Sequence, residues 1–263
     1  MFHTFRARMG RFLAYKDLLK ELILRDLKLK YRRSILGYFW SVLNPLMIML
    51  VMTVIFTRVF RFQIENYPVY LLSGQMLFNF FSEATNNALV SITGNAPLLK
   101  KTYVPKYIFT FSKVTSALIN LAFSLLSLML VMLILRVPFS WKMFLAVSPL
   151  LQLYIFSIGV GMLLASMTVF FRDIQYIYSV ILTAWTYATP IFYPENSLDG
   201  RLGWIVKTFN PLYHYISQFR SVMIYNTFPS LSITLSGWGF ALFFLLLGSW
   251  AFLKSQDKFI LYI

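Results

Sequence analysis

The sequence predicts an all-α integral membrane protein with six transmembrane helices, an N-terminal amphipathic interface helix, and re-entrant helices between spans five and six. Three observations carry this expectation. Of 263 residues, 59% are hydrophobic and only 13% charged, whereas a soluble domain, which must face water, is about one-quarter charged. Apolar runs recur at the ~20 residues that a helix rising ~1.5 Å per residue needs to cross ~30 Å of hydrocarbon. The basic residues behind the net charge of +15 flank these runs. They do not line one soluble face, which argues for a membrane and against nucleic acid.

The elements follow in chain order. Residues 1–14 are basic, and residues 1–34 hold no continuous apolar core of the signal-peptide kind, so the first span is expected to stay in the mature protein. Residues 15–33 place Leu18, Leu19, Leu22, Ile23, Leu27 and Leu29 on one half of a helical wheel, with Asp17, Lys20, Glu21, Arg25 and Lys28 on the other. Asp26, Lys16 and Lys30 violate that pattern. Such a helix fits a membrane surface, as a simple anchor or as a docking element for a partner. Span one is expected at 36–60, bent at Asn44-Pro45. Span two, at 69–92, carries Asn79, Ser82, Glu83, Thr85, Asn86 and Asn87, which are costly in lipid and must face protein or water. Spans three and four are expected at 111–135 and 143–171, with Gly159 and Gly161 permitting close packing. Spans five and six are expected at 174–192 and 231–253. The 193–230 connection is too apolar for a solvated loop and too interrupted by Pro194, Gly200, Gly203 and Pro211 for a span. It reads as a pair of short re-entrant helices or as an interfacial helix lying flat. The domains are therefore a cytoplasmic segment 1–35, a transmembrane domain 36–253 and a cytoplasmic tail 254–263.

Lysine and arginine set the orientation. Seventeen fall on the side of the N-terminus and of the second-to-third connection, and seven on the other. Both termini are therefore expected in the cytoplasm.

The search for chemistry finds little. There is no cysteine, and His3 and His214 have no partner at metal-ligand spacing, so no metal site is expected. No glycine-rich run ends in Gly-Lys-Ser/Thr, so no nucleotide is expected to bind this chain. Glu83 is the one carboxylate well inside a span; without an acidic or histidine companion it reads as a cavity-facing hydrogen-bonding group, ahead of a catalytic one. A membrane enzyme would need paired acids or metal-ligating carboxylates, which are missing. Aromatic residues make up 19% of the chain. Phe78, Phe81, Trp185 and Tyr187 belong either to an interfacial belt or, since aromatic faces also take sugar C–H surfaces, to a sugar-conducting path. The connection 94–106 is short, basic and stiffened by Pro97 and Pro105. It reads as a rigid element pressed against something cytoplasmic.

Six blocks together carry a resemblance: LILRDLKLKYRRSILGYFWSVLNPL at 22–46, FSEAT at 81–85, PLLKKTYVPKYIF at 97–109, FFRDI at 170–174, TPIFYP at 189–194 and FNPLYHYI at 209–216. The chain resembles the membrane subunit of ABC-2-type exporters of polysaccharides such as O-antigen, capsule and teichoic acid. The resemblance implies a homodimer in the bacterial cytoplasmic membrane, worked by a separate ABC ATPase dimer that binds ATP and magnesium. It implies a lipid-linked glycan as substrate. It makes Arg25, Asp26, Lys28, Tyr31, Arg32, Arg33, Lys100, Lys101, Tyr103 and Lys106 candidates for contact with the ATPase. Phe78, Phe81, Trp185 and Tyr187, with Glu83, become candidates for the substrate path. An ABC-2 permease for a drug, haem or lipid is the alternative.

Overall fold

The computed structural model describes residues 15–30, 32, 35–62, 64–198 and 200–263. The basic start 1–14, and Tyr31 and Arg33 from the expected contact set, lie outside them. The described residues form helices and no strand. In order these are α1 (Lys16–Lys30), α2 (Trp40–Val54), α3 (Tyr67–Leu89), α4 (Ala96–Lys101), α5 (Tyr107–Ile134), α6 (Val147–Phe170), α7 (Ile174–Ala188), α8 (Gly200–Phe209), α9 (Pro211–Met223), α10 (Leu231–Ser255) and a terminal turn α11 (Phe259–Tyr262). A 3-10 turn at Gly37–Phe39 leads into α2, which relaxes into a π turn at Ile55–Val59. Pro45 lies inside α2 without ending it.

Four helical stretches are long and apolar enough to cross a membrane: Gly37–Val59, Tyr107–Ile134, Trp141–Phe170 and Leu231–Tyr262. They coincide with expected spans one, three, four and six. The other two fall short for different reasons. At 23 residues, α3 is about 34 Å long, but the polar residues from Ser73 to Asn87 lower its hydropathy. At 15 residues, α7 is only about 22 Å long. It stops because Thr189 precedes Pro190 and is extended, at φ −100° and ψ 134°.

The core explains why α3 tolerates its polarity. Leu71, Leu72, Leu77, Phe81, Ala84 and Ala88 are fully buried, so the neighbours of α3 are protein. It packs on α2, α5, α6 and α9. The buried Thr85 donates to the Phe81 carbonyl of its own helix at 2.7 Å and accepts from the Tyr178 hydroxyl of α7 at 2.6 Å. The closest helix pair is α6 with α10, where Gly159 and Gly248 bring main chain against main chain. A Cβ on Gly161 would lie 2.8 Å from that of Ala88, so both glycines flagged in the sequence serve close packing. Large apolar side chains such as Leu126, Leu133, Leu242, Leu246 and Trp250 cover the outside.

Two segments beside the spans are fastened to the bundle. Residues 254–263, expected as a tail, are one. The chain turns at Gln256–Lys258 and buries Phe259 completely, edge-on to Phe252 at 5.2 Å and Phe170 at 6.1 Å. The apolar run Phe259–Ile263 is the physical reason. The interface helix is the other: it packs along α5 and buries Leu22 and Leu27. Within the 193–230 connection the two helices differ: α9 is buried for most of its length, while α8 exposes Leu202, Trp204 and Phe209.

Candidate functional site

The expected contact residues gather at one end of the bundle, and the expected path residues lie along α3 and α7. The basic end has its own apolar core, with Leu22 of α1, Leu99 of α4, Ile108 and Phe109 of α5, Val169 of α6 and Phe259 of α11. It unites the expected contact elements into one body. On its surface, Lys100 and Lys101 end α4 and are exposed, and Tyr103 is fully exposed on the extended connection that follows. The Tyr103 carbonyl accepts from the Tyr15 hydroxyl at 3.3 Å, which ties this connection to the start of α1. Arg25 donates to Asn95 Oδ1 at 3.2 Å, tying α1 to the turn ahead of α4. Arg25, Lys28 and Arg32 line an open groove with Glu21, Leu24 and Leu29. These exposed cations suit an acidic or polar partner surface.

Three charged residues bond other parts of the bundle. Lys106 donates to the Gln256 carbonyl and lies over the Phe259 ring at 5.7 Å. Burial pushes its ammonium below the ordinary lysine range. It therefore fastens the C-terminal turn. Asp26 is bonded by Lys113 of α5 at 2.9 Å and by Arg25 of its own helix at 3.4 Å. Lys30 bonds Glu83 of α3 at 2.7 Å. Asn120 of α5 donates to the same oxygen at 2.7 Å.

The other end is aromatic. Phe56 of the π turn stacks with Phe60 at 5.0 Å, Phe62 at 5.8 Å and Phe192 at 5.7 Å. Further along α3, away from that end, Phe81 is fully buried between Phe156 and Trp185, both at 5.3 Å, and Phe78 is buried as well. Trp185 is half-buried and its indole N–H donates to Asn210 Oδ1 at 2.8 Å. Tyr187 is exposed. Of the four aromatic path candidates, only Trp185 and Tyr187 therefore present surface.

Between α7 and α8 the segment Pro190–Tyr193 is not helical, yet each of its carbonyls has a side-chain donor. Arg220 of α9 donates to Pro190 O at 2.7 Å and to Ile191 O at 3.2 Å. Tyr67 donates to Phe192 O at 2.8 Å and Tyr70 to Tyr193 O at 3.0 Å. Arg220 also donates to Tyr70 O at 3.1 Å and lies over the Tyr70 ring at 3.5 Å, with Glu195 at 3.7 Å. The guanidinium is fully buried, and Gly74 makes room for it: a Cβ there would lie 2.6 Å from Nη2.

The family model for the ABC-2 type transporter matches residues 17–224, from α1 to the end of α9. The chain belongs to that family. Among curated relatives, the O-antigen export system permease protein RfbA of Klebsiella pneumoniae is 31% identical over 213 residues, 80% of this chain and 82% of that one. RfbA of Myxococcus xanthus is 32% identical over 217 residues, 82% and 83% of the two chains. The polysialic acid transport protein KpsM of Escherichia coli is 27% identical over 230 residues, 83% and 85%.

Sequence reasoning on this ABC-2 transporter chain missed Arg220, which it counted only as one charge of the less basic side. Its acceptors are main-chain oxygens 29 to 150 residues away, and no side-chain pattern announces them. It also missed Lys113 and Asn120 as partners of α1 and α3. For Lys113 a signal was available: Asp26 and Lys30 broke the amphipathic pattern four residues apart, hence on one face.

Proposed function

We propose that this chain is the transmembrane permease subunit of an ABC exporter that moves lipid-linked polysaccharide across the bacterial cytoplasmic membrane. The glycan class is O-antigen, capsule, teichoic acid or a related cell-wall polymer. The observation that carries the reading is the likeness, over about four-fifths of the chain, to permeases named for O-antigen and polysialic acid export.

The working unit is a homodimer, each copy crossing six times, with both termini in the cytoplasm. Spans two and five are then α3 and α7. Their support is that α3 is long enough and packed among other helices, and that α7 continues into the protein-bonded segment Pro190–Tyr193. Irregular backbone at membrane depth is tolerated where protein satisfies its polar groups, which fits the bonded carbonyls of residues 190–193 and a re-entrant α8–α9 pair. The basic end faces the cytoplasm. There Arg25, Lys28, Arg32, Lys100, Lys101 and Tyr103, with Tyr31 and Arg33, meet a separate ATPase dimer, which holds ATP and magnesium. Trp185 and Tyr187 face the glycan, while Phe78 and Phe81 support that wall from behind. ATP binding closes the ATPase dimer, which pushes α1 and α4 and tilts the helices fused to them. Such coupling requires contacts that differ between the two states.

Deleting the gene tests this in the cell. The account expects surface glycan to disappear and lipid-linked glycan to accumulate inside. Undiminished surface glycan contradicts it.

A further inference from the structure

Resting on that reading, we propose that Glu83 is a positioning residue through which the interface helix α1 moves α3, held by Lys30, while the Asp26–Lys113 pair fixes the register of α1. The geometry is a short chain of polar contacts across three helices. Lys30 Nζ lies 2.7 Å from Glu83 Oε1, and Asn120 Nδ2 lies 2.7 Å from the same oxygen. Lys113 Nζ lies 2.9 Å from Asp26 Oδ1. Asp26 and Lys30 are one turn apart on α1, so they share a face; Lys113 and Asn120 are two turns apart on α5 and share another.

The two ion pairs have opposite polarity. Towards α5 the helix α1 presents an anion, and towards α3 a cation. Sliding α1 by one turn in one direction would bring Asp26 opposite Glu83. Sliding it the other way would bring Lys30 opposite Lys113. Either slip sets like charges together and breaks both pairs. One axial position is therefore selected, and a push on α1 along its axis is resisted by α3 and α5 together. The apolar contacts of Leu22 and Leu27 are non-directional and supply no such register. Glu83 lies six residues from the end of α3, so the link enters the body of that helix and does not stop at its tip.

The link predicts that α1 and α3 move as one unit and that hydrolysis is wasted when the link is cut. The test uses this chain with its ATPase subunit in vesicles bearing the host's lipid-linked glycan, and reads glycan exported per ATP hydrolysed. Glu83→Gln and Lys30→Gln should each lower that ratio roughly tenfold. The exchange Lys30→Glu with Glu83→Lys should bring it back within about threefold of wild type. Asn120 permits the exchange, because its Oδ1 is buried without a partner among the described residues and can accept from an amino group at position 83. A purely structural need for a carboxylate at 83 would not be met by the exchange. Single variants within about twofold of wild type, or an exchange no better than the singles, overturn the link while leaving the exporter reading intact. A wild-type complex that hydrolyses ATP and exports nothing overturns that reading, and this role with it.

Discussion

A guanidinium with no exposed surface must find its acceptors inside the protein, and Arg220 finds them on the carbonyls of Pro190, Ile191 and Tyr70. Arg220→Leu would strip those oxygens of their donor at a cost of about 3–5 kcal/mol. The purified chain should then unfold at a clearly lower temperature in detergent. Arg220→Lys should recover only part of the loss, since an ammonium lacks the planar fork and the stack on Tyr70. The exposed lysines act differently. Lys100→Ala with Lys101→Ala should weaken retention of the ATPase subunit in pull-down, while Lys106→Ala should leave retention near wild type and loosen the C-terminal turn. The sequence could not separate these three lysines, because the Gln256 carbonyl and the Phe259 ring that turn Lys106 inward lie some 150 residues away.

At the scale of elements, apolar periodicity revealed the helices whose outer surface is lipid-like, and α3 needed a different clue. Its carboxylate and amides made sense only as groups facing protein or water: Lys30 and Asn120 bond Glu83, while Asn79 and Asn86 are exposed. The end of α7 at Ala188 was legible in Thr189-Pro190 after the fact, yet an apolar run through Phe192 outweighed it. The C-terminal turn was not legible in the sequence, because the Phe252 and Phe170 rings that Phe259 meets are known only once the helices are packed. Phe259→Ala should cost about 3–5 kcal/mol, measured by thermal unfolding of the detergent-solubilised chain. Gly248→Leu should be worse tolerated than Gly239→Leu, for Gly248 meets the main chain of Gly159 and Gly239 has open space. Comparing the yields of folded protein in the membrane checks this.

For the whole molecule, the apolar outside and the asymmetric basic ends set a topology that labelling can read. The chain has no native cysteine, so single introduced cysteines report without background. Cysteines replacing Lys28 and Lys100 should react with a membrane-impermeant maleimide only in inverted vesicles, and those replacing Arg61 and Asn196 only in intact spheroplasts. At this scale the sequence was most informative, because composition and charge distribution are properties of the entire chain and need no knowledge of pairing. What it could not supply was which copy, wall or partner each surface meets. The direct measurement is export in vesicles holding lipid-linked glycan, with this chain alone, with the ATPase subunit, and with both plus ATP. The account predicts that glycan crosses only in the last case; crossing without the ATPase subunit or without ATP would contradict it.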